Sequence, residues 1–341
     1  MRKLWAAGAA MLVAVIGVQA AGARPAEDSL TGAGSSFVAP LVAQWISEWG
    51  AKAGIQVTYS PIGSGGGIAA ITSRTVDFGA SDAPLTQDQF SKCNGCVQIP
   101  WALSATSIAY NISGQKGHLH MTGPVLADIY LGKVKKWNDA EITKLNPGAS
   151  LPDLDITPVY RSDGSGTSYN FTDYLSKVSP EWKSKVGKST QPSFPVGTGA
   201  RGSAGVAGVV SRTDGSLTYV DVAYTLKNHL NYFDVQNRAG HFMNVSLRNI
   251  AASAGAFKGI APDNSISIVD PPKTAVNAYP ICTYTYVIAP IKSPKANTLR
   301  KFIFYAVGVG QKQGPKLLFV PLPKPILIAA EKTIAKIQPQ T

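Results

Sequence analysis

The chain has 341 residues, of which 45% are hydrophobic and 15% charged, and it contains 33 glycines. This length and composition exclude a disordered tail and allow two domains with their own hydrophobic cores. The formal net charge of +12 makes nucleic acid, an anionic surface and an anionic ligand candidate partners. The lysines are scattered, however, and no run of five or more basic residues occurs. We therefore interpret the charge as a solvated surface that mildly favours anions, and we expect no nucleic-acid partner.

The first residues have the form of a secretory signal peptide. Arg2 and Lys3 precede an apolar run rich in alanine and glycine, which ends in the small residues 20–23. This pattern predicts export, with a cleaved signal peptide at residues 1–23. The alternative is an uncleaved membrane anchor, but the run is short and rich in small residues for a bilayer span.

Two glycine-rich turns come before predicted helices in the first part of the chain. The turn at residues 31–37 (TGAGSSF) ends in hydroxyl residues just before a helical pattern of apolar residues at 41–49. After a strand-like alternation at 55–59, the turn at 63–67 (GSGGG) begins another short helix. Glycine lets backbone N–H groups approach a ligand closely, and a helix N-terminus favours an anion. Each turn alone is weak evidence of a ligand, because such sequences also form ordinary loops.

A short strand and a carboxylate follow these turns. Residues 76–82 (VDFGASD) predict a strand that runs into a turn and presents Asp82. Within residues 97–112, two strand-like runs are then predicted on either side of residues 101–104. A helical pattern begins at residue 125 and ends near residue 137.

The three cysteines form one close pair and one single residue. The spacing of Cys93 and Cys96 would fit half a zinc site, a redox pair or a local disulfide. No second pair and no nearby histidine accompanies them, and export favours the disulfide. Cys282 lies in an apolar alternating run, so we interpret it as a buried small hydrophobic residue.

The central turn of the chain is residues 161–168 (RSDGSGTS), which joins an alternating run at 156–160 to a helical pattern at 169–178. Its glycines permit a tight turn, and its position gives it the partial positive charge of a helix N-terminus. Arg161 adds a full charge and a rigid donor fork. Such a turn predicts oxyanion binding. The alternative is a capped surface helix in which Arg161 and Asp163 merely pair with each other.

Helices and strands continue to alternate to the end of the chain, which predicts the α/β class. A glycine-rich stretch at residues 197–208 leads into a helical pattern marked by Val206, Val209 and Val210. Strands are predicted at residues 217–220 and 281–288, with an irregular proline-rich stretch at 251–275 between them. Two closing helices are predicted at residues 299–309 and 326–337.

The sequence shows no catalytic constellation. A nucleophile elbow of the form Gly-x-Ser-x-Gly is absent, and the four histidines lack zinc-protease spacing. A secreted phosphatase that uses Ser165 or Ser64 as nucleophile is the enzymatic alternative. It lacks an evident metal site and an evident base, so we expect a protein without chemistry and without a cofactor.

Five segments, taken in order, closely resemble motifs of the periplasmic phosphate-binding proteins of the phosphate ABC importer. These segments are residues 31–37, 63–67, 76–82, 128–133 (DIYLGK) and 161–168. The resemblance covers nearly the whole mature chain and is specific, because few families combine all five motifs. It implies a periplasmic protein, expected to be a monomer, that binds inorganic phosphate and delivers it to the permease and ATPase subunits of the importer.

The resemblance also implies a fold and a division of the chain. The fold is α/β, the two-lobe periplasmic binding protein fold of type II, in which two crossover strands form the hinge. The first lobe would comprise residues 24–103 and 281–341, and the second lobe residues 104–280. The crossovers would lie near residues 102–107 and 278–283, and the lobes would close on one phosphate.

Carried over by motif, the phosphate site takes groups from both lobes. The implied ligand-binding residues are Ser36, Phe37, Ser64 and Asp82 from the first lobe and Arg161, Ser165, Gly166 and Thr167 from the second. Asp163 would support the site by pairing with Arg161. The sequence departs from the family in having Ser36 where threonine is common and Val38 where proline is common. Serine keeps the hydroxyl donor, so the implied site is retained.

Asp82 is the residue expected to select the anion. Phosphate carries a proton at neutral pH and sulfate does not, so a buried carboxylate accepts a hydrogen bond from phosphate but repels sulfate. Sites built around a specific proton reject analogues that lack it by about 10⁴ or more. The alternative ligand is another oxyanion such as sulfate or molybdate, for which a site of neutral donors without Asp82 would be expected.

Overall fold

The computed structural model describes residues 29–115 and 117–340. The predicted signal peptide at residues 1–23 lies outside this range. Strands and helices alternate along the described chain, in agreement with the α/β class. None of the described helices combines the length and the apolar character that a membrane crossing requires.

The elements are numbered in chain order. The strands are β1 (Ser29–Gly34), β2 (Gln56–Ser60), β3 (Phe78–Ser81), β4 (Cys96–Asn111), β5 (His120–Met121), β6 (Thr157–Arg161), β7 (Thr198–Ala200), β8 (Ser216–Asp221), β9 (Asn231–Tyr232), β10 (Asp234–Gln236), β11 (Phe242–Met243), β12 (Cys282–Pro290), β13 (Lys292–Ser293) and β14 (Gln338–Pro339). The α-helices are α1 (Ala39–Ala53), α2 (Ser64–Thr72), α3 (Gln87–Cys93), α4 (Gly123–Tyr130), α5 (Ala140–Thr143), α6 (Gly166–Val178), α7 (Pro180–Lys185), α8 (Gly202–Arg212), α9 (Val222–Lys227), α10 (Leu247–Gly255), α11 (Ala296–Val307) and α12 (Lys324–Ile334). Two 3₁₀ helices span Val309–Gln313 and Pro315–Leu317.

The main sheet is mixed and has the strand order β2-β1-β3-β12-β4-β8-β6-β7, with β9 paired to β4. Strand β4 lies in the middle of this sheet and belongs to both of its halves. It pairs with β12 from Cys96 to Ala105 and with β8 from Thr106 to Asn111. We call the part up to Ala105, with β1, β2, β3 and β12, the first lobe, and the part from Thr106, with β6, β7 and β8, the second lobe.

The prediction of two strands within residues 97–112 was wrong, because β4 is one continuous strand. Nearly all of its residues are buried. The polar residues at its centre, Ser104, Thr106 and Ser107, are buried and do not interrupt the strand, and each half of the strand pairs with a different partner in the sheet. One strand thus runs from one lobe into the other and changes its pairing partner after Ala105.

Helix α1 shows how the first lobe places a helix start at the end of a strand. Its buried residues include Leu41, Trp45 and Trp49, spaced to form one apolar face. Trp45 packs on Trp101 of β4 with ring centroids 5.1 Å apart, and its indole N–H donates to the Gly310 carbonyl at 2.9 Å. This packing fixes the N-terminus of α1 next to the C-terminal end of β1.

Tyr219 of β8 plays the corresponding role in the second lobe. Its ring stacks on Phe171 of α6 with centroids 4.2 Å apart. Its hydroxyl accepts a hydrogen bond from the Arg161 backbone N–H at 3.0 Å and shares another with the Ser168 hydroxyl at 2.7 Å. A core aromatic residue therefore holds the central turn from both of its ends.

The stretch between α10 and β12 contacts both lobes. The prediction that residues 251–275 are irregular was wrong at the start, where α10 extends to Gly255, and matches the rest. Asn264 donates to the Gln98 carbonyl of the first lobe at 2.9 Å. Lys177 of α6 donates to the Val269 carbonyl at 2.9 Å, which attaches the same stretch to the second lobe.

The cysteines lie away from the meeting point of the lobes. Cys93 at the end of α3 and Cys96 at the start of β4 form a disulfide. The guanidinium of Arg74 donates to the Cys93 carbonyl at 2.8 Å and lies 3.2 Å from the Cys96 sulfur. Cys282 is a buried free thiol at the start of β12.

Candidate functional site

Asp82 directly follows β3, and it is 2% exposed. Its Oδ1 atom accepts hydrogen bonds from the hydroxyls of Ser35 and Thr285, the latter at 3.1 Å. The Ser64 hydroxyl donates to Oδ2 at 3.4 Å. Burial raises the pKa of Asp82 to about 6, although these hydrogen bonds and the charge of Arg161 act in the opposite direction. Asp82 is therefore a buried acceptor surrounded by hydroxyl donors.

Arg161 ends β6 and is 3% exposed. Its Nε atom donates to Asp163 Oδ1 at 2.7 Å, and its Nη2 atom donates to Asp163 Oδ2. Burial would raise the pKa of Asp163, but the hydrogen bonds and charge of Arg161 outweigh it, so this pKa lies below its ordinary value. The Nη1 atom points towards the hydroxyls of Ser203 at 3.3 Å and Thr167 at 3.5 Å. The pair thus holds a cation rigidly and leaves one side of it directed into the site.

Helix N-termini from both lobes converge on these charged groups. Ser64 is the first residue of α2, and its hydroxyl accepts hydrogen bonds from the backbone N–H of Asp82 at 3.2 Å and of Gly166 at 3.0 Å. Gly166 is the first residue of α6, which Ser165 caps by accepting from the Ser168 N–H at 3.1 Å. Helix N-termini carry partial positive charge and unpaired N–H groups, so this junction favours an anion.

The lobes touch directly at the site. The N–H of Gly65 donates to the Gly164 carbonyl at 2.9 Å, and the hydroxyls of Ser36 and Ser203 are 2.9 Å apart. Asn170 of α6 donates to the Asp82 carbonyl at 2.8 Å. The structure therefore has the lobes in a closed arrangement.

Two glycines permit this close approach. A Cβ atom on Gly166 would lie 2.7 Å from both the Asp82 backbone nitrogen and the Ser64 hydroxyl oxygen. Gly63 has a φ of 89°, and a Cβ there would lie 2.2 Å from the Asp163 carboxylate. Any larger residue at either position would force the lobes apart or displace a charged group.

The structure brings most of the residues implied by the resemblance into one network. Ser64 contacts Asp82 and Gly166, Arg161 reaches Thr167 and Asp163, and Ser36 is linked to Arg161 through Ser203. Two of the implied residues, Phe37 and Ser165, also have a structural role. The side chain of Phe37 is fully buried and packs edge-on against Phe319, with centroids 6.1 Å apart, so only its backbone can face a ligand. The Ser165 hydroxyl caps α6 and keeps its own proton to donate.

Sequence reasoning missed several neighbours of the two charged groups. Ser35 and Thr285 hold the Asp82 carboxylate, and Ser203 links Ser36 to Arg161. Ser203 could have been found, because it opens the helix predicted after a glycine-rich stretch. Thr285 gave no signal, since it lies within an apolar strand far along the chain.

Metal ligation has no support within residues 29–115 and 117–340. No group of three or more histidine, cysteine, aspartate or glutamate residues there could hold a metal ion. The polar groups around Asp82 and Arg161 are instead hydroxyls, backbone N–H groups and one guanidinium. This donor set suits an anion that can also donate one proton.

The fold is that of a two-lobed α/β binding protein, and the candidate site between the lobes has groups that suit an anion. A model of the PBP superfamily domain matches residues 19–308. The phosphate-binding protein PstS of Xylella fastidiosa (strain Temecula1) is 44% identical over 300 residues, which cover 86% of this chain and 81% of that protein. PstS of Pasteurella multocida (strain Pm70) is 38% identical over 317 residues, covering 92% and 89%. The chain therefore belongs to the PBP superfamily and, within it, to the family of PstS phosphate-binding proteins.

Solved structures agree on the fold. The high affinity periplasmic phosphate-binding protein PfluDING, solved with phosphate, superposes with a TM-score of 0.72 at 21% identity, covering 89% of this chain and 93% of that one. A phosphate binding protein from Stenotrophomonas maltophilia gives a TM-score of 0.68 at 21% identity with the same coverage. The fold is thus the two-lobe periplasmic binding protein fold.

Proposed function

We propose that the protein binds one inorganic phosphate between its lobes and delivers it to an ABC importer, without chemistry. The observation that carries this proposal is the buried Asp82 carboxylate, held among hydroxyl donors opposite the Arg161 guanidinium. A protonated phosphate can donate to Asp82 while its other oxygens accept from Arg161 and the helix N-termini. Family membership supports the same ligand, since the curated relatives are named for phosphate binding.

The proposed ligand groups come from both lobes. The first lobe contributes the hydroxyls of Ser36 and Ser64, the Phe37 backbone N–H and the Asp82 carboxylate. The second lobe contributes Arg161, Ser165, Gly166 and Thr167, with Asp163 as the support of Arg161. Since neither lobe alone satisfies the anion, binding requires closure, and closure excludes the water that would otherwise weaken each hydrogen bond.

The division into lobes and the cellular setting are part of the same proposal. We place the lobes at residues 24–103 with 281–341 and at residues 104–280. In support, β4 changes its pairing partner after Ala105, two residues beyond this boundary. The protein would act as a monomer in the periplasm after removal of residues 1–23. Its partners would be the permease and ATPase subunits of the importer.

Isothermal titration calorimetry of phosphate and sulfate against the mature protein tests the ligand. We expect phosphate to bind at least 10⁴-fold more tightly than sulfate, because only phosphate satisfies Asp82. The Asp82→Asn protein should show a much smaller ratio. Asp88→Asn makes the same change on an exposed side chain of α3 and should leave the ratio unchanged. Equal affinity of the wild type for both anions would rule out phosphate selection by Asp82.

A further inference from the structure

A largely apolar groove of about 580 Å³ runs between the two lobes. One wall is α1 of the first lobe, with Pro40 and Ala43, and the other is α9 of the second lobe, with Ala223 and Leu226. Helix α9 also contacts the 3₁₀ helix Pro315–Leu317 of the first lobe. Leu226 is 39% exposed, so aliphatic surface faces solvent here. Because the walls belong to different lobes, the width of the groove depends on how far the lobes have closed.

Two exposed lysines, one from each lobe, line the groove. They are Lys227 on α9 and Lys316 on the 3₁₀ helix. Within residues 29–115 and 117–340 neither lysine forms an ion pair or a hydrogen bond, and no carboxylate lines the groove. The groove therefore combines an apolar floor with two uncompensated positive charges. A complementary occupant carries an apolar side chain and carboxylates.

The groove is joined to the candidate anion site through Tyr59. This residue lines the groove, and its hydroxyl donates to the Ser35 carbonyl at 2.8 Å. The Ser35 hydroxyl in turn donates to the Asp82 carboxylate. The ring of Tyr59 stacks on Phe78 with centroids 6.1 Å apart, which restricts its movement. Only one residue thus separates the groove from the carboxylate proposed to contact phosphate.

We propose that this groove receives a segment of the importer's membrane permease that exposes an apolar side chain flanked by carboxylates. The inference rests on the proposed function. The apolar side chain lies between α1 and α9, and the carboxylates pair with Lys227 and Lys316. Since these contacts span both lobes, the permease segment binds the closed arrangement in preference to the open one. By linkage, phosphate and the permease segment each raise the affinity for the other by the same factor.

The test is the binding of phosphate-loaded protein to the permease–ATPase complex of the same organism in lipid nanodiscs, followed by biolayer interferometry. Lys227→Glu combined with Lys316→Glu should weaken binding at least tenfold. Lys301→Glu combined with Lys324→Glu makes the same change in net charge at lysines outside the groove and should have little effect. Ala43→Trp, which fills the groove, should also weaken binding, whereas Ala51→Trp on the same helix should not.

Phosphate calorimetry on each variant separates this inference from the proposed function. The two lysine variants should bind phosphate like the wild type, because neither Lys227 nor Lys316 contacts the proposed site. A wild type that does not bind phosphate would refute the proposed function itself. If phosphate binds and the two groove lysines can be reversed without loss of permease affinity, the groove proposal is overturned. Sedimentation that shows a dimer abolished by Ala43→Trp would assign the groove to a second copy and overturn it as well.

Discussion

The two charged groups at the meeting point of the lobes are built in different ways. Asp82 is held by hydroxyl groups only, without a cation in direct contact, and burial raises its pKa to about 6. Arg161 is instead clamped by Asp163, two residues further along the same turn, and the pKa of that carboxyl is lowered. The first lobe thus keeps an uncompensated acceptor, whereas the second lobe keeps a compensated cation. From this difference we propose that the first lobe selects the ligand, whereas the second lobe contributes most of the binding free energy.

Removal of the clamped cation should have the largest effect. Arg161→Ala leaves Asp163 buried without its partner and deprives the anion of its only full positive charge among the proposed ligand groups. Truncation of one member of a buried charged pair costs about 2–5 kcal/mol, and we expect phosphate binding to weaken by a similar amount in calorimetry. Arg300→Ala, at an exposed position of α11, is the matched control.

Small-angle scattering extends the same experiment to closure. The radius of gyration of the wild type should fall when phosphate is added, and that of the Arg161→Ala protein should stay unchanged at the same phosphate concentration. A variant that binds and closes like the wild type would show that the central turn is only a helix cap.

Replacement of the uncompensated acceptor Asp82 should have the next largest effect, and the size of this effect depends on pH. The folded pKa of Asp82, about 6, lies above its ordinary value of 3.8. The carboxyl therefore favours folding at low pH, and this contribution is lost as the pH rises through 6. Phosphate-free Asp82→Asn should be more stable than the wild type by up to about 3 kcal/mol at pH 8. The difference should narrow at pH 4.5.

Urea unfolding at the two pH values measures this difference. Asp88→Asn, on an exposed carboxylate, should show almost no difference from the wild type at either pH. A constant gap for Asp82→Asn between pH 4.5 and pH 8 would contradict a raised pKa at Asp82.

The close approach of the lobes should be sensitive to a single methyl group. Gly166→Ala places a Cβ atom 2.7 Å from the backbone of Asp82 and from the Ser64 hydroxyl. Overpacking of this kind costs about 1–3 kcal/mol, so phosphate affinity should fall by roughly ten- to a hundredfold. Gly255→Ala adds the same atom where nothing lies within 4 Å, and its affinity should match the wild type. Equal affinities of the two variants would mean that the lobes bind phosphate without this contact.

The disulfide should have the smallest effect on the site. Replacement of Cys93 and Cys96 by serine should leave phosphate affinity within a few fold, because neither residue belongs to the network around Asp82. The cost to stability should be about 2 kcal/mol or less, since the closed loop is short. Thiol titration of the unfolded mature protein should find one free thiol in the wild type. Three free thiols would contradict the bridge.

Local sequence accounts for the Arg161 side of this comparison better than for the Asp82 side. Arg161, Asp163 and the N-terminus of α6 lie within one turn, so their pairing follows from spacing. Asp82 could be recognised as a carboxylate at a strand end, but no local pattern indicates its partner Thr285, which is separated from it by 203 positions. Such a partner is set by the register of β12 against β3, and strand register across a sheet is not encoded locally.

In the fold, too, local features were predicted from the sequence and features that depend on distant partners were not. The predicted helices near the glycine-rich turns are present, because apolar periodicity and capping are local properties. The continuity of β4 was missed, because a fully buried strand that changes partner midway looks the same in sequence as two strands. The close contact of Ser36 with Ser203 was likewise beyond local reasoning, as it exists only where the two lobes meet.

The reactivity of the single unpaired cysteine, Cys282, can report the motion of the lobes. Cys282 pairs with Ala105 at the point where β4 changes from β12 to β8, which we propose as the pivot between the lobes. It is fully buried, and burial raises the pKa of its thiol to about 12. We therefore expect a thiol reagent to reach it only when the structure around this proposed pivot opens. The rate of labelling under native conditions would report how often the pivot opens, and added phosphate should slow that rate without any engineered probe.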